Sequence, residues 1–339
     1  MLKTKYWKIG NKKNKEVVCI LCHNNCTIAE GKKGRCGVRL NENGALFLDA
    51  HIASVCVDPI EKKPFFHFLP GTHAFSIGVF GCNFSCKYCQ NWEISQISNI
   101  RDEVLNRYLR CQDVSPDKII DDAKKSDCKV IAYTYTEPTI AWEYFEKIGK
   151  LAKVKGLKNV FVTNGFMNLD AVNFSWIDGF SIDLKGDESF YEQIVGVKKD
   201  AFEIVLKNIK ILRQAGKWVE VETLLILGEN NNEKQIRKIA AALASIDKKI
   251  PWHILAFYPC YKMMNHKPTT ISDIEKAIKI GKEMGLIYIY VGNIIQQKYT
   301  FCQKCGKRLI TRTNFSVNKD FVKDGKCAFC SEKLDGVWE

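Results

Sequence analysis

Residues 81–92 read GCNFSCKYCQNW and gather Cys82, Cys86 and Cys89 in one short loop, spaced by three and then two residues. Tetrahedral zinc takes four ligands, and an ordinary iron–sulfur cluster takes four thiolates. No neighbouring residue supplies an obvious fourth. Three thiolates can hold a cubane cluster while one iron lacks a protein ligand, and an open coordination position is what a catalytic metal site keeps and a structural site closes. A small molecule with an amine and a carboxylate can chelate such an iron, and a reduced cluster can pass one electron into it. On spacing alone the alternative is a zinc site completed from elsewhere, with His73 as a candidate donor.

The remaining cysteines fall into two more groups and four strays. Cys302-x2-Cys305 and Cys327-x2-Cys330, separated by 21 residues and with Gly306 in the first knuckle, have the spacing of a zinc ribbon ligated by four thiolates. Cys19-x2-Cys22-x3-Cys26-x9-Cys36 matches neither common ferredoxin pattern and reads either as a closed zinc site or as an auxiliary iron–sulfur cluster. Cys56, Cys111, Cys128 and Cys260 are expected to be buried small hydrophobes, Cys260 being the one suspected of facing a cavity. The clustered CxxC pairs point to metal rather than to a disulfide framework.

Elements that position these groups are visible as periodicity. Apolar, β-rich runs at 74–80, 129–135, 159–164, 179–185, 218–227, 252–258 and 286–292 alternate with amphipathic helical segments. Repeated β-then-α units imply parallel strands with helical crossovers, and seven of them predict a partial parallel (β/α) barrel with chemistry at the strand C-termini. Cys82, Glu137, Thr163, Asn164, Asp183 and Lys185 all fall at such ends, and His253 and Tyr258 lie in the sixth run. The expected organisation is an N-terminal four-cysteine segment over 1–72, the barrel over 73–298 and a ribbon module over 299–339. Asp58, Glu61, Lys62, Lys63 and His67 occupy a polar loop before the first strand of the barrel, read either as a solvated turn or as a cover over the barrel mouth. His253 is read as a core histidine or a substrate contact, and Trp92 as packing.

Cys82-x3-Cys86-x-Tyr88-Cys89 directly after a strand resembles the signature of the radical SAM superfamily, in which an aromatic residue before the last cysteine lies beside the adenine of S-adenosylmethionine (SAM). The resemblance implies that the missing ligand of the cluster is SAM. TEP at 136–138 stands where that superfamily often has Gly-Gly-Glu-Pro, with Tyr135 and Thr136 replacing the glycines, and implies that Glu137 receives the SAM amino group. VTNGF at 162–166 and SIDLKGDESFYEQIVGV at 181–197 are similar to strands of glycyl-radical activating enzymes such as the pyruvate formate-lyase activase. Val162 replaces an aspartate of the activase there. By that similarity Asn164, Asp183 and Lys185 line the SAM pocket with Tyr88. CILCHNNCTIAEGKKGRCGVR, DPIEKKPFFHFLPG, AYTYTEPTI, YVGN and the closing CxxC pairs with GVW resemble the AmmeMemoRadiSam-system radical SAM enzymes over nearly the whole chain.

The activity this implies is reductive cleavage of SAM at a [4Fe-4S] cluster to a 5′-deoxyadenosyl radical that abstracts hydrogen from a protein or peptide. Radical transformation or methylation of a small molecule is the enzymatic alternative, and a nucleic-acid-binding or scaffold zinc-ribbon protein the non-enzymatic one. Expected cofactors are the [4Fe-4S] cluster, SAM, zinc and, at the N-terminal cysteines, zinc or a second cluster. The formal charge of +13 is spread along the chain with no basic, aromatic-interleaved block apart from the short KIGNKKNK run, so it suggests steering of an acidic one-electron donor, a flavodoxin or ferredoxin, over binding of nucleic acid. No apolar run approaches the ~20 residues that span a bilayer, and the charged N-terminal stretch has no apolar h-region, so the expected location is the cytoplasm.

Overall fold

A computed structural model describes residues 1–97, 114–197 and 200–339. Each of the seven apolar runs forms a parallel strand: β2 (His73–Val79), β3 (Val130–Tyr133), β4 (Lys158–Thr163), β5 (Gly179–Asp183), β6 (Trp218–Leu225), β7 (Trp252–Ala256) and β8 (Ile289–Val291). An eighth strand, β1 (Ile52–Pro59), pairs antiparallel with β2 at the edge. Strand order in the sheet follows chain order from β1 to β8 without reversal. A doubly wound sheet would reverse at a switch point, whereas an unreversed series with helical crossovers curls into a partial barrel.

The crossovers are α1 (Pro116–Lys125), α2 (Trp142–Val154), α3 (Ala201–Gln214), α4 (Glu233–Ile246) and α5 (Ile271–Glu283). Their starts are written locally. Ser115 accepts from the Lys118 N–H with Pro116 in the first turn, and Thr270 and Asp273 form a reciprocal capping box. Each buries one apolar stripe, as α1 does with Ile119, Ile120 and Ala123.

The boundary expected after residue 72 runs through the sheet, because β1 belongs to it. As an edge strand, β1 leaves Cys56 exposed between Val55 and Val57, contrary to the expectation of a buried thiol. Cys128 is buried, and Cys111 lies outside the described residues. The N-terminal segment is held to the barrel by buried Arg39, whose guanidinium donates to the Ile140 carbonyl at 3.0 Å and to both carboxylate oxygens of Glu143 on α2.

Residues 60–72 differ most from expectation. Because Pro59 pairs with His73 at the start of β2, this loop enters from the N-terminal ends of the strands and forms a floor in place of a cover over the mouth, with Glu61, Lys62 and Lys63 lining the barrel's interior cavity from below. Phe65 and Phe68 pack with Val130, Val160 and Trp218 into a small core of their own. The C-terminal module seals this floor: Val337 pairs with Phe68, and buried Arg312 donates to the Phe66 carbonyl at 2.6 Å and lies 3.6 Å from Glu61.

His67 sits at the joint. Its Nδ1 is 2.7 Å from the Asp335 carbonyl and its Nε2 is 2.6 Å from the Tyr290 hydroxyl. A carbonyl only accepts, so Nδ1 carries the proton, and the neutral ring accepts from Tyr290 through Nε2. Burial lowers the His67 pKa from 6.5 to about 4. The unfolded chain therefore takes up a proton over a range where the folded one does not, and stability falls as pH drops through that window. We expect urea-unfolding stability to lose about 3 kcal/mol from this group between pH 6.5 and about 4, with a flatter slope over the same window in His67→Gln.

Candidate metal and cofactor site

The cysteine loop begins where β2 ends. Gly81 has φ +94°, and a Cβ there would stand 2.2 Å from the Cys36 carbonyl oxygen, so glycine is what lets the N-terminal segment lie against the loop. The backbone N–H groups of Ser85 and Lys87 donate to the carbonyls of Val195 and Ile194 at 3.2 and 3.0 Å. The Asn91 amide donates to the Tyr135 carbonyl at 2.7 Å, and Trp92 stacks on Tyr261 with ring centroids 5.2 Å apart. Cys260 packs against the loop, its thiol 3.5 Å from the Cys89 carbonyl, and is not among the residues lining the cavity.

Cys82, Cys86 and Cys89 line a cavity of about 480 Å3, the size of a small-molecule site, that runs from the C-terminal ends of the strands down to Phe66 and His253 at the floor. Tyr88, Glu137, Asn164, Asp183 and Lys185 line the same cavity. Eight residues chosen from sequence thus converge on one space.

Each is fixed by neighbours. Oε1 of Glu137 accepts from the Thr139 N–H at 3.0 Å, the Thr139 hydroxyl and the Thr163 hydroxyl at 2.7 Å, whereas among the described residues Oε2 accepts only from the Asn164 N–H at 2.8 Å. Oε2 keeps a lone-pair direction for a further donor. Burial raises the Glu137 pKa against the pull of these donors. Tyr135, in place of a glycine of the resembling motif, takes φ +72°, a left-handed conformation costing about 1–2 kcal/mol for an L-residue. Its hydroxyl donates to Asp58 at 2.7 Å and its ring lies 4.2 Å from the Lys63 ammonium, contacts that hold it there.

Asn164 donates to the Asn83 side-chain oxygen at 2.7 Å. Lys185 pairs with Asp183 at 2.9 Å; burial opposes its charge, but Asp183 holds its pKa well above the usual range. The Tyr88 hydroxyl is buried beside the Cys86 thiol, Nδ1 of His253 is buried with no partner among the described residues, and both residues line the cavity. His253 lies at the start of β7, its Nε2 2.7 Å from Glu220.

Sequence reasoning missed Glu220 and Glu222, two residues apart on β6 and both buried. Glu222 lines the cavity; burial, then the nearby Asp183, push its pKa from 4.5 up to about 8. The signal was present in VEVET: a strand covered on both faces normally reads as continuously apolar, so its alternating glutamates mark a polar barrel interior.

The C-terminal quartet is set for one ion. Cys302 and Cys330 sulfurs are 3.6 Å apart and Cys305 and Cys327 sulfurs 3.8 Å apart, against about 3.8 Å expected across a tetrahedron with 2.3 Å zinc–sulfur bonds. Gly306 (φ +68°) and Ser331 (φ +60°) take the same left-handed turn after each knuckle. Among the described residues this is the one set of three or more metal-ligating side chains with all ligand atoms within 4.8 Å. Cys19, Cys22, Cys26 and Cys36 share a separate small cavity without that close approach.

The sequence pattern of the radical SAM superfamily matches residues 76–243. An "Uncharacterized protein" of Methanocaldococcus jannaschii is 36% identical over 340 residues, covering 98% of both chains. The chain belongs to the radical SAM superfamily. Membership implies an enzyme that uses a [4Fe-4S] cluster and SAM, and the fold is the superfamily's α/β fold with a mostly parallel sheet. A second M. jannaschii protein, named "Putative glycyl-radical enzyme activating enzyme", is 29% identical over 214 residues, 62% of this chain and 76% of its own length. A solved domain of pyruvate-formate lyase-activating enzyme from Bacteroides vulgatus is 22% identical, covering 48% of this chain and 97% of that one, with a TM-score of 0.42. Among the described residues no helix is long and apolar enough to cross a membrane.

In this radical SAM protein the ribbon and the barrel floor share Arg312. We therefore expect Cys305→Ala to release about one equivalent of metal per chain and to lower the melting temperature of the barrel, read by near-UV circular dichroism of its buried tryptophans. Metal loss with an unchanged barrel transition would separate the two modules.

Proposed function

We propose that this chain cleaves SAM reductively and uses the resulting radical to abstract hydrogen from a protein or peptide, in the manner of a glycyl-radical activating enzyme. The observation that carries the first half is the convergence of Cys82, Cys86, Cys89, Tyr88, Glu137, Asn164, Asp183 and Lys185 on one cavity at the strand ends. Bound there, a [4Fe-4S] cluster with SAM on its open iron supplies reductive cleavage of SAM to methionine and a 5′-deoxyadenosyl radical. The residues fit that cargo. Three thiols without a fourth leave one iron open, Glu137 Oε2 offers an acceptor to an ammonium, and the buried Tyr88 hydroxyl and the buried Lys185–Asp183 pair offer polar partners to a nucleoside. A protein or peptide substrate is supported by the relative named as an activating enzyme. In the ribbon quartet, the sulfur separations favour zinc.

For the electron donor we propose an acidic flavodoxin or ferredoxin. Arg35, Lys87 and Lys262 are exposed around the cysteine loop, Arg35 bonded to Ser85 and the Lys262 N–H donating to the Lys87 carbonyl at 3.0 Å. Charge steering of this kind weakens as salt shortens the Debye length.

The deciding measurement is 5′-deoxyadenosine formation by anaerobically reconstituted protein given SAM and dithionite. We expect product from the wild type and its loss in Cys86→Ala; equal product from the two would exclude this site as its source. With a flavodoxin as donor, the rate is expected to fall severalfold between about 0.01 and 0.15 M ionic strength, and a salt-independent rate would remove the case for docking on this face.

A further inference from the structure

The four N-terminal cysteines form a site of their own, and its geometry separates the two metals that their spacing left open. Cys19, Cys22, Cys26 and Cys36 line one small cavity together with Leu21, Ile28 and Ile140. A single zinc ion draws its thiolates to about 3.8 Å, the separation seen in the C-terminal ribbon. No three of the four N-terminal sulfurs lie within 4.8 Å of one another. The same holds for Cys82, Cys86 and Cys89, which belong to the superfamily's cluster motif. A cubane spreads its thiolates because each binds a different iron, so wide spacing around a shared cavity is what a cluster requires and a lone ion does not.

The walls also suit a cluster, which is large and carries negative charge. Buried Arg39, paired with Glu143 and electrostatically in reach of Cys19 and Cys36, lines the cavity, and the Asn24 amide stands 3.8 Å from the Cys22 sulfur. Asn83 lines it too; its buried Nδ2 stands beside the Cys22 thiol and has no other partner among the described residues, a donor that cluster sulfur would satisfy. Asn83 follows Cys82 directly, and its backbone carbonyl accepts from Asn24 at 2.9 Å. Gly81 gives way to the Cys36 carbonyl from the other side.

We propose that Cys19, Cys22, Cys26 and Cys36 hold a second [4Fe-4S] cluster, fully ligated by thiolates, beside the SAM-cleaving site and separated from it by Asn83. This assignment goes beyond the proposed function and stands or falls without it, since it concerns cysteines outside the superfamily motif.

The test uses full-length protein reconstituted anaerobically, with iron, acid-labile sulfide and zinc measured per chain and iron followed by Mössbauer spectroscopy. In a Cys82→Ala/Cys86→Ala/Cys89→Ala variant, which leaves the N-terminal quartet intact, we expect about four irons and about four sulfides, half of the wild-type content, with about one zinc in the ribbon. Adding Cys22→Ala and Cys26→Ala is expected to abolish the remaining iron while the ribbon zinc and the far-ultraviolet circular dichroism spectrum persist. A triple variant holding no iron and about two zincs would overturn the proposal in favour of a second structural zinc site. Iron that survives in the five-cysteine variant would also overturn it, by placing the cluster elsewhere.

Discussion

The carboxylate of Glu220 stands inside the barrel with no access to water, and much of the lower half of the molecule is arranged to satisfy it. It accepts from the Phe66 and His67 N–H groups, from the Trp218 indole at 3.0 Å and from His253 at 2.7 Å. A buried carboxylate without such partners costs several kcal/mol. Meeting its needs fixes the turn at 66–67, which in turn aims Phe65 and Phe68 at the strand starts and holds His67 against Tyr290 and Asp335. The ribbon then docks on that turn through Arg312. One interior charge therefore organises loop, strand and C-terminal module at once.

The upper half obeys the same rule with a different carboxylate. Glu137 ties the turn after β3 to the end of β4 through Thr163 and Asn164, and Asn164 passes the connection on to Asn83 beside Cys82. Placement of the cysteine loop thus draws on hydrogen bonds radiating from a strand end as well as on the loop's own bonds to residues 194–195 and to Tyr135. Preorganisation of this kind is what a site needs when its cofactor must meet a second small molecule in fixed geometry. Tyr135 shows its strength: the surrounding contacts hold a bulky residue in a conformation that glycine would take without strain.

Much of this was legible in the sequence, for physical reasons that differ by element. The seven parallel strands are covered on both faces and so announce themselves as compact β-rich runs, and local spacing alone brings together the CxxC knuckles. Strand C-termini then point Glu137, Asn164, Asp183 and Lys185 at the cysteines, because the rule for such barrels is geometric. The floor was illegible because its partners are remote: Phe66 answers to a glutamate 154 residues away and His67 to a carbonyl 268 residues away. Strand β1 escaped notice because SVCVDP at a sheet edge lacks the clean patterning of a covered strand. Glu220 and Glu222 were visible as an alternation, but one that reads as solvent exposure until the sheet is known to close around them.

The docking of residues 312–338 onto the 66–69 turn bears on how the chain is made. Phe65, Phe68 and Leu69 form the small floor core with Val130, Val160 and Trp218, and Val337 packs on it. During synthesis every strand of the barrel leaves the ribosome before the segment that seals its underside. Until that segment emerges, the nascent barrel carries an apolar underside with part of its cover missing, a surface that a chaperone would recognise. The ribbon is therefore part of the barrel's cover more than an appendage to it.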